Sequence, residues 1–571
     1  MFGPYAIAIG RGAHRHALGE RAALLDMPVR IEMADLLLVG AAGTSVLKGL
    51  RSILVGQIFT AGNECLHKLP PALESWGAQS HSHEAPPNLW GNFAFFWATP
   101  DRASVYREPS GSVPVYRCGE DEQAVFVSDA KFARDLGLLE DPVIDRRFLA
   151  HWLQYPFLRT RRTGVLGFEE LLPGMLISTS GSGGWVECSA WHPSTFAAKT
   201  QAAPEDYASR LRSTALDVVG LQLDFANMLV SLSGGLDSSI IASCLKAAGR
   251  EFGCINFATL SREGDEREHA REVASALGVN LIEIGELPPA PLELPGELSF
   301  RPLINPLLAP FETAIAAAAQ KLDAALFIDG AGGDNLFCSV SSAAPVIDAL
   351  ISLKFGDAAA VVRDIASRAN CTLWEVLLAA GRRLRRRRPA WKEDRSFLRS
   401  ECLLGQPELH PWLQQLPVPP GKREHVEALV HIQHFLDRSS PSLEQLHPLL
   451  AQPLLELCLQ IPSWLWLRGG RDRPVARDAI RGLLPDSILK RRMKGSLQGM
   501  LYRSFSALRE TMRELLTSGE LAEHAIVNPS LIDEALQSEA WMTDEVQLRI
   551  SEMVALELWL RSWRGIAATA A

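Results

Sequence analysis

At 571 residues the chain is too long for one core and calls for two or more domains. Its charged and apolar fractions, 22% and 47%, are those of an ordinary globular protein, and a formal net charge of -9 argues against binding nucleic acid through general electrostatics. No apolar run is long enough to cross a bilayer and no signal-peptide pattern opens the chain. The nine cysteines form no C-x-x-C pair, so neither a zinc site nor a disulfide framework is expected; a reducing cytoplasm fits, with no membrane partner.

Residues 1–190 read as β-rich with few long helices. Strands are expected over 36–39, 52–59, 89–97 (Leu-Trp-Gly-Asn-Phe-Ala-Phe-Phe-Trp), 103–106, 113–116 and 124–131, separated by turns such as Glu108-Pro109-Ser110-Gly111, a spacing that suggests antiparallel sheet. The run Ser178–Gly184 suits a hairpin loop. The loose stretch from His192-Pro193 to Pro204 places a domain boundary near residue 200, dividing the chain into 1–200 and 201–571.

Beyond the boundary helix and strand alternate. A helix over 207–220 leads to the apolar strand 228–232, followed by Ser233-Gly234-Gly235-Leu236-Asp237-Ser238-Ser239. Ile240, Ile241, Cys244, Leu245 and Ala248 then fall on one helix face, with Gly249 as the stop. Ser233-Gly234-Gly235 is thus a tight strand-to-helix turn. Its glycines let backbone N–H groups approach an anion, and the helix N-terminus adds positive potential. Ser233, Ser238 and Ser239 offer hydroxyls, and Asp237 suits a cation such as Mg²⁺ beside a polyphosphate. The alternative is a plain βα turn capped by Asp237.

Strands at 253–258 and 279–284, with a helix at 270–277 and a polar loop at 261–268, continue the βα pattern. They predict a parallel sheet with ligand at its C-terminal edge. A helix at 313–325 and a strand at 326–328 precede a second glycine-rich turn, Asp329-Gly330-Ala331-Gly332-Gly333-Asp334-Asn335. Asp334 there converges with Asp237 on one sheet end, an arrangement that suits Mg²⁺. Residues 339–440 read as mostly helical. The arginines between Arg382 and Arg388 are either a solvated helix end or a dock for an acidic peptide. Glu545 to Trp563 is a final amphipathic helix.

The segment Ser233–Ser239 resembles the PP-loop signature SGGxDSS of ATP pyrophosphatases. The first half, with G-x-F-A, R-[DE]-P-x-G-x-x-P-x-Y and F-x-S-[DE]-x-K in order, resembles the glutaminase domain of asparagine synthetases. That domain is an Ntn sandwich whose nucleophile is a cysteine after the initiator Met; here position 2 is Phe2, so the resemblance implies a retained scaffold without glutaminase chemistry. The Gly330–Phe337 run resembles S-G-E-G-S-D-E-[LV]-F, with the family's glutamate falling on Ala331. His447–Glu456 resembles R-x-P-F-L-D-x-x-[VL]-x-E but lacks its arginine and aspartate, and Leu484–Gly495 resembles L-P-x-x-[IV]-x-x-R-x-K-x-G.

Together these resemble the lasso-peptide macrocyclase branch of the asparagine synthetase family. The fold implied is α/β and α+β: a degenerate glutaminase-like sandwich, then a PP-loop parallel-sheet domain with a helical C-terminal part. The cofactors implied are ATP and Mg²⁺. Asp237 and Asp334 hold the metal; Leu232, Ser233, Gly234, Gly235, Asp237, Ser238, Ser239, Phe257 and Gly330 bind ATP; and Lys494 acts with the two aspartates in catalysis. The reaction implied joins a core peptide's Asp or Glu side chain to its own N-terminal amine. The partners implied are a precursor peptide, a leader peptidase and a leader-recognition protein. The readings left open are an ammonia-dependent asparagine synthetase or other amide-forming ligase, and an inactive binding scaffold.

Overall fold

The computed structural model describes all residues except 1–2, 11, 26, 28, 41–44, 80–83, 120–123, 181–183, 199–203, 223–226, 259–264, 303–305, 340–341, 385–390, 437–442, 492–494, 496–497 and 570–571. Phe2, the domain boundary near residue 200, half of the polar loop at 261–268, Arg385–Arg388 and Lys494 fall wholly or partly outside the described residues.

The first 190 residues form two six-stranded antiparallel sheets. Side chains alternate along each strand, so each sheet has two faces to cover. Ile7, Leu38 and Phe126 of one sheet pack against Val55, Phe96 and Val105 of the other. The opposite face of the first sheet, with Ala6, Val39 and Val127, is covered by helices, including the last one, Asp544–Thr569. Leu54, Phe93 and Tyr106 on the outer face of the second sheet meet helix Pro71–Gly77. Burial on both faces explains why Leu89–Thr99 reads as a near-continuous apolar run.

The limits of two strands and one helix differ from the sequence expectation. Pairing begins only at Tyr116, because Pro114 has no N–H to give a ladder; Val113 and Val115 are buried all the same. The strand after Ala124 stops at Val127. Asp129 instead caps helix Ala130–Asp135, its carboxylate accepting from the Phe132 N–H at 2.7 Å. The alanine-rich helix runs Ala309–Lys321, four residues earlier at each end than expected. Pro310 pre-sets its first turn, and the chain leaves it at Asp323 in the left-handed region.

The second half is built on a five-stranded parallel sheet in the order Asn280–Ile284, Phe252–Phe257, Met228–Ser231, Leu326–Ile328, Glu444–Leu446. From Met228–Ser231 the chain builds outward on one side, then crosses back to Leu326–Ile328 on the other. Strand order therefore reverses between these two, and a crevice is expected outside their C-terminal ends. Both glycine-rich turns leave the sheet there.

Candidate nucleotide site

The first turn is held by its own side chains. Ser238 Oγ accepts from the Ser233 N–H at 3.2 Å and lies 3.1 Å from Ser233 Oγ, while Ser233 Oγ accepts from the Gly235 N–H at 3.2 Å. Leu232 is locked into the sheet edge through Ile255 O, and its carbonyl accepts from Asn256 at 2.7 Å. Gly234 has φ +68, and a Cβ there would lie 2.5 Å from His269 Cβ, so only glycine fits between the loop and helix Arg267–Leu277. Ser239 is fully buried behind the loop. Phe257 ends the neighbouring strand and packs its ring on Phe311, with centroids 4.6 Å apart.

The second turn lies directly against the first. A Cβ on Gly330 would fall 2.9 Å from Ser238 N, and one on Gly333 would fall 2.3 Å from Asp237 Cγ. Backbone without side chains is thus what lets Asp237 and Asp334 face one point. That point is taken by Arg473: its Nη1 is 3.0 Å from Asp237 Oδ1 and 2.5 Å from Asp334 Oδ1, and its Nε donates to Asp472 at 3.1 Å. Burial disfavours the guanidinium charge, but Asp237, Asp334 and Asp472 together raise its pKa above the ordinary arginine value. Arg473 also sits at φ +51, a conformation uncommon for a side-chain-bearing residue and concentrated at functional sites.

A cation therefore already occupies the focus of the two carboxylates. Two hard oxygen donors, with Asp334 partly open to solvent, fit Mg²⁺, which takes one or two protein carboxylates and completes its shell with phosphate and water. Among the described residues no cluster of three or more His, Cys, Asp or Glu offers an all-protein metal cage.

Lys494 lies outside the described residues; Arg491 and Gly495, on either side of it, are described. Arg491 donates to Gly234 O at 3.1 Å and to Glu266 at 2.7 Å, and the Gly495 N–H donates to the same Glu266 oxygen at 2.8 Å. Arg491 is thus anchored to the first turn, and Gly495 to the start of helix Arg267–Leu277 beside it.

Two features received no role from the sequence. Arg473 stood in Gly469-Gly470-Arg471-Asp472-Arg473-Pro474, where the proline one residue after it was the only local signal of a helix start. Asp329, at the end of Leu326–Ile328, accepts from His447 Nδ1 at 2.7 Å, from Gln445 at 2.8 Å and from the Ala331 N–H at 3.0 Å. Burial pushes its carboxyl up, but His447 and these donors outweigh it and hold the pKa below the usual aspartate value. His447 and Gln445 also form part of the wall of a cavity of about 310 Å³, which reaches to Tyr5, Arg107 and Ser112 of the sandwich.

No curated protein matches the chain. Solved structures similar to it include the allosteric regulatory enzyme of purine biosynthesis (9% identity over 57% of this chain and 82% of that one, TM-score 0.20). Two others are NMN synthetase from Francisella tularensis (16%, 24% and 58%, TM-score 0.16) and the glutamine PRPP amidotransferase from B. subtilis complexed with ADP and GMP (8%, 57% and 90%, TM-score 0.21). The family model for asparagine synthase matches residues 211–561, which include both glycine-rich turns, Arg473 and the 491–495 segment. The chain belongs to the asparagine synthase family and is an ATP-dependent ligase that forms carbon–nitrogen amide bonds.

Proposed function

We propose that this ligase is a lasso-peptide macrocyclase, which adenylates an Asp or Glu side chain of a leader-free core peptide and joins it to the peptide's own N-terminal amine. The observation that carries this reading is the segment from His447, which resembles the family's aspartate-site segment but lacks its arginine and aspartate. With the carboxylate carried on a peptide instead of free aspartate, the peptide's own N-terminus is an amine held at high effective concentration.

In this reading Ser233, Gly234, Gly235 and Ser238 cradle the phosphates at a helix N-terminus. Leu232, Ser239, Phe257 and Gly330 shape the nucleotide pocket. Asp237 and Asp334 hold Mg²⁺, which when bound neutralises polyphosphate charge. Arg473 balances the carboxylate pair and supplies a second cation for the departing pyrophosphate. Lys494 stabilises charge on the α-phosphate and on the acyl carbon's oxyanion. The partners are a precursor peptide, a leader peptidase and a leader-recognition protein, and the setting is the cytoplasm.

ATP–pyrophosphate exchange tests the reading. Exchange should depend on a synthetic leader-free peptide translated from the reading frames beside this gene, with cyclic product and AMP formed in equal amounts. Exchange driven by free aspartate alone would identify an ammonia-dependent asparagine synthetase instead, and no exchange with any carboxylate would favour a binding scaffold.

A further inference from the structure

The family glutamate position is Ala331, so the machinery above holds nothing to take a proton from the attacking amine. The fold places another group at this spot. Ala331 is turned so that its N–H bonds Asp329 Oδ1, and that same oxygen receives His447 Nδ1. Asp329 precedes Gly330, the residue pressed against the Ser238 backbone, so the pair lies one residue from the first turn. His447 follows strand Glu444–Leu446, which is paired in parallel with Leu326–Ile328, so both members leave the sheet at its C-terminal edge.

Chemistry then fixes the tautomer. An ionised carboxylate only accepts hydrogen bonds, so Nδ1 carries a proton, and in the neutral ring the lone pair is on Nε2. The His447 side chain is 13% exposed and borders the cavity, so Nε2 is the ring nitrogen left to meet a substrate. A base oriented by a third group through its second nitrogen is a recurring arrangement for activating a nucleophile.

Resting on the macrocyclase reading, we propose that His447, oriented by Asp329, is the general base of the second half-reaction, with Asp329 as its positioning residue. The amine nitrogen bonds to the acyl carbon of the adenylated side chain and the carbon–oxygen bond to AMP breaks. One amine proton passes to His447 Nε2 and then to solvent, leaving a neutral amide. The first half-reaction transfers no proton from the carboxylate, so it does not need His447.

The two half-reactions separate the outcomes. In His447→Gln and His447→Ala, peptide-dependent exchange and trapping of the acyl-adenylate by added hydroxylamine should stay within about threefold of the parent. Cyclic product should fall about 10²–10⁴-fold. Asp329→Asn should lower cyclisation while sparing exchange. The glutamine variant keeps an N–H for Asp329, so it carries the test if the alanine variant does not fold. Cyclisation at the parental rate in both His447 variants, or exchange falling in step with cyclisation, overturns the base assignment. If the parental protein shows no peptide-dependent exchange, the macrocyclase reading fails and the assignment with it.

Discussion

Gly333 faces Asp237 so closely that its missing Cβ is part of the site. Gly333→Ala should displace the Asp237 carboxylate and raise the KM for ATP at least tenfold, with little change in melting temperature, since the strain can relax into the crevice. Arg473 gives a second test at this scale. Arg473→Ala removes the guanidinium shared by Asp237 and Asp334, so the variant should lose about 1–3 kcal/mol of stability. Millimolar Mg²⁺ should restore much of that loss, and melting with and without the ion reads the difference. Asp237→Ala and Lys494→Ala should abolish product in a folded protein, as circular dichroism and turnover together would report. Asp237 and Asp334 were legible as a pair because each follows glycines in a turn. Arg473 was not, since nothing in a sequence says that a guanidinium more than a hundred residues from either turn fills their focus.

At the scale of elements, Arg491, just past helix Asp486–Lys490, ties that helix to the first turn and to Glu266. Arg491→Ala removes the donors to Gly234 O and Glu266, and a charge-assisted hydrogen bond is worth about 1.5–3 kcal/mol. Exchange should drop ten- to hundredfold while the fold holds, measured by pyrophosphate exchange beside a melting curve. Strands and helices were readable where side-chain spacing alone decides, as in Leu89–Thr99, Met228–Ser231 and Leu236–Ala247. Their limits were not, where a hydrogen bond decides: Pro114 withholds one from the ladder, and Asp129 supplies one to a helix start. The hydrogen bond from His447 to Asp329 belongs to the same class, because parallel pairing of strands whose partners are 118 residues apart in the chain brings the two together.

Across the whole molecule, one buried carboxylate ties the halves together. Glu170 receives Arg107 at 2.7 Å, Arg159 at 2.8 Å and, from the second half, Arg301 at 2.9 Å. Burial raises its pKa, but the three guanidiniums outweigh that and hold it far below the usual glutamate value. The sign follows: Glu170 contributes stability above about pH 4.5, and the contribution is lost as pH falls below it. Glu170→Gln should cost about 3–5 kcal/mol, because it removes the carboxylate that three buried guanidiniums share, and should remove that part of the acid dependence. Denaturant melts at neutral and acid pH check both. None of this was visible in the sequence, where Arg301 stands among residues with no pattern.

Glu170 is not alone in spanning the halves. Trp559 of the last helix packs against Gly164 and donates to Ser299 O at 2.8 Å, and one apolar core runs without a break from Tyr5 to Leu489. A gene shortened to residues 211–561 would therefore encode a ligase stripped of its keel. It would carry Arg301 without its carboxylate and a last helix without its sheet. Such a truncation should give insoluble protein, and co-expression of the missing half should rescue it. Selection acting on the ligase alone is then enough to preserve the sandwich.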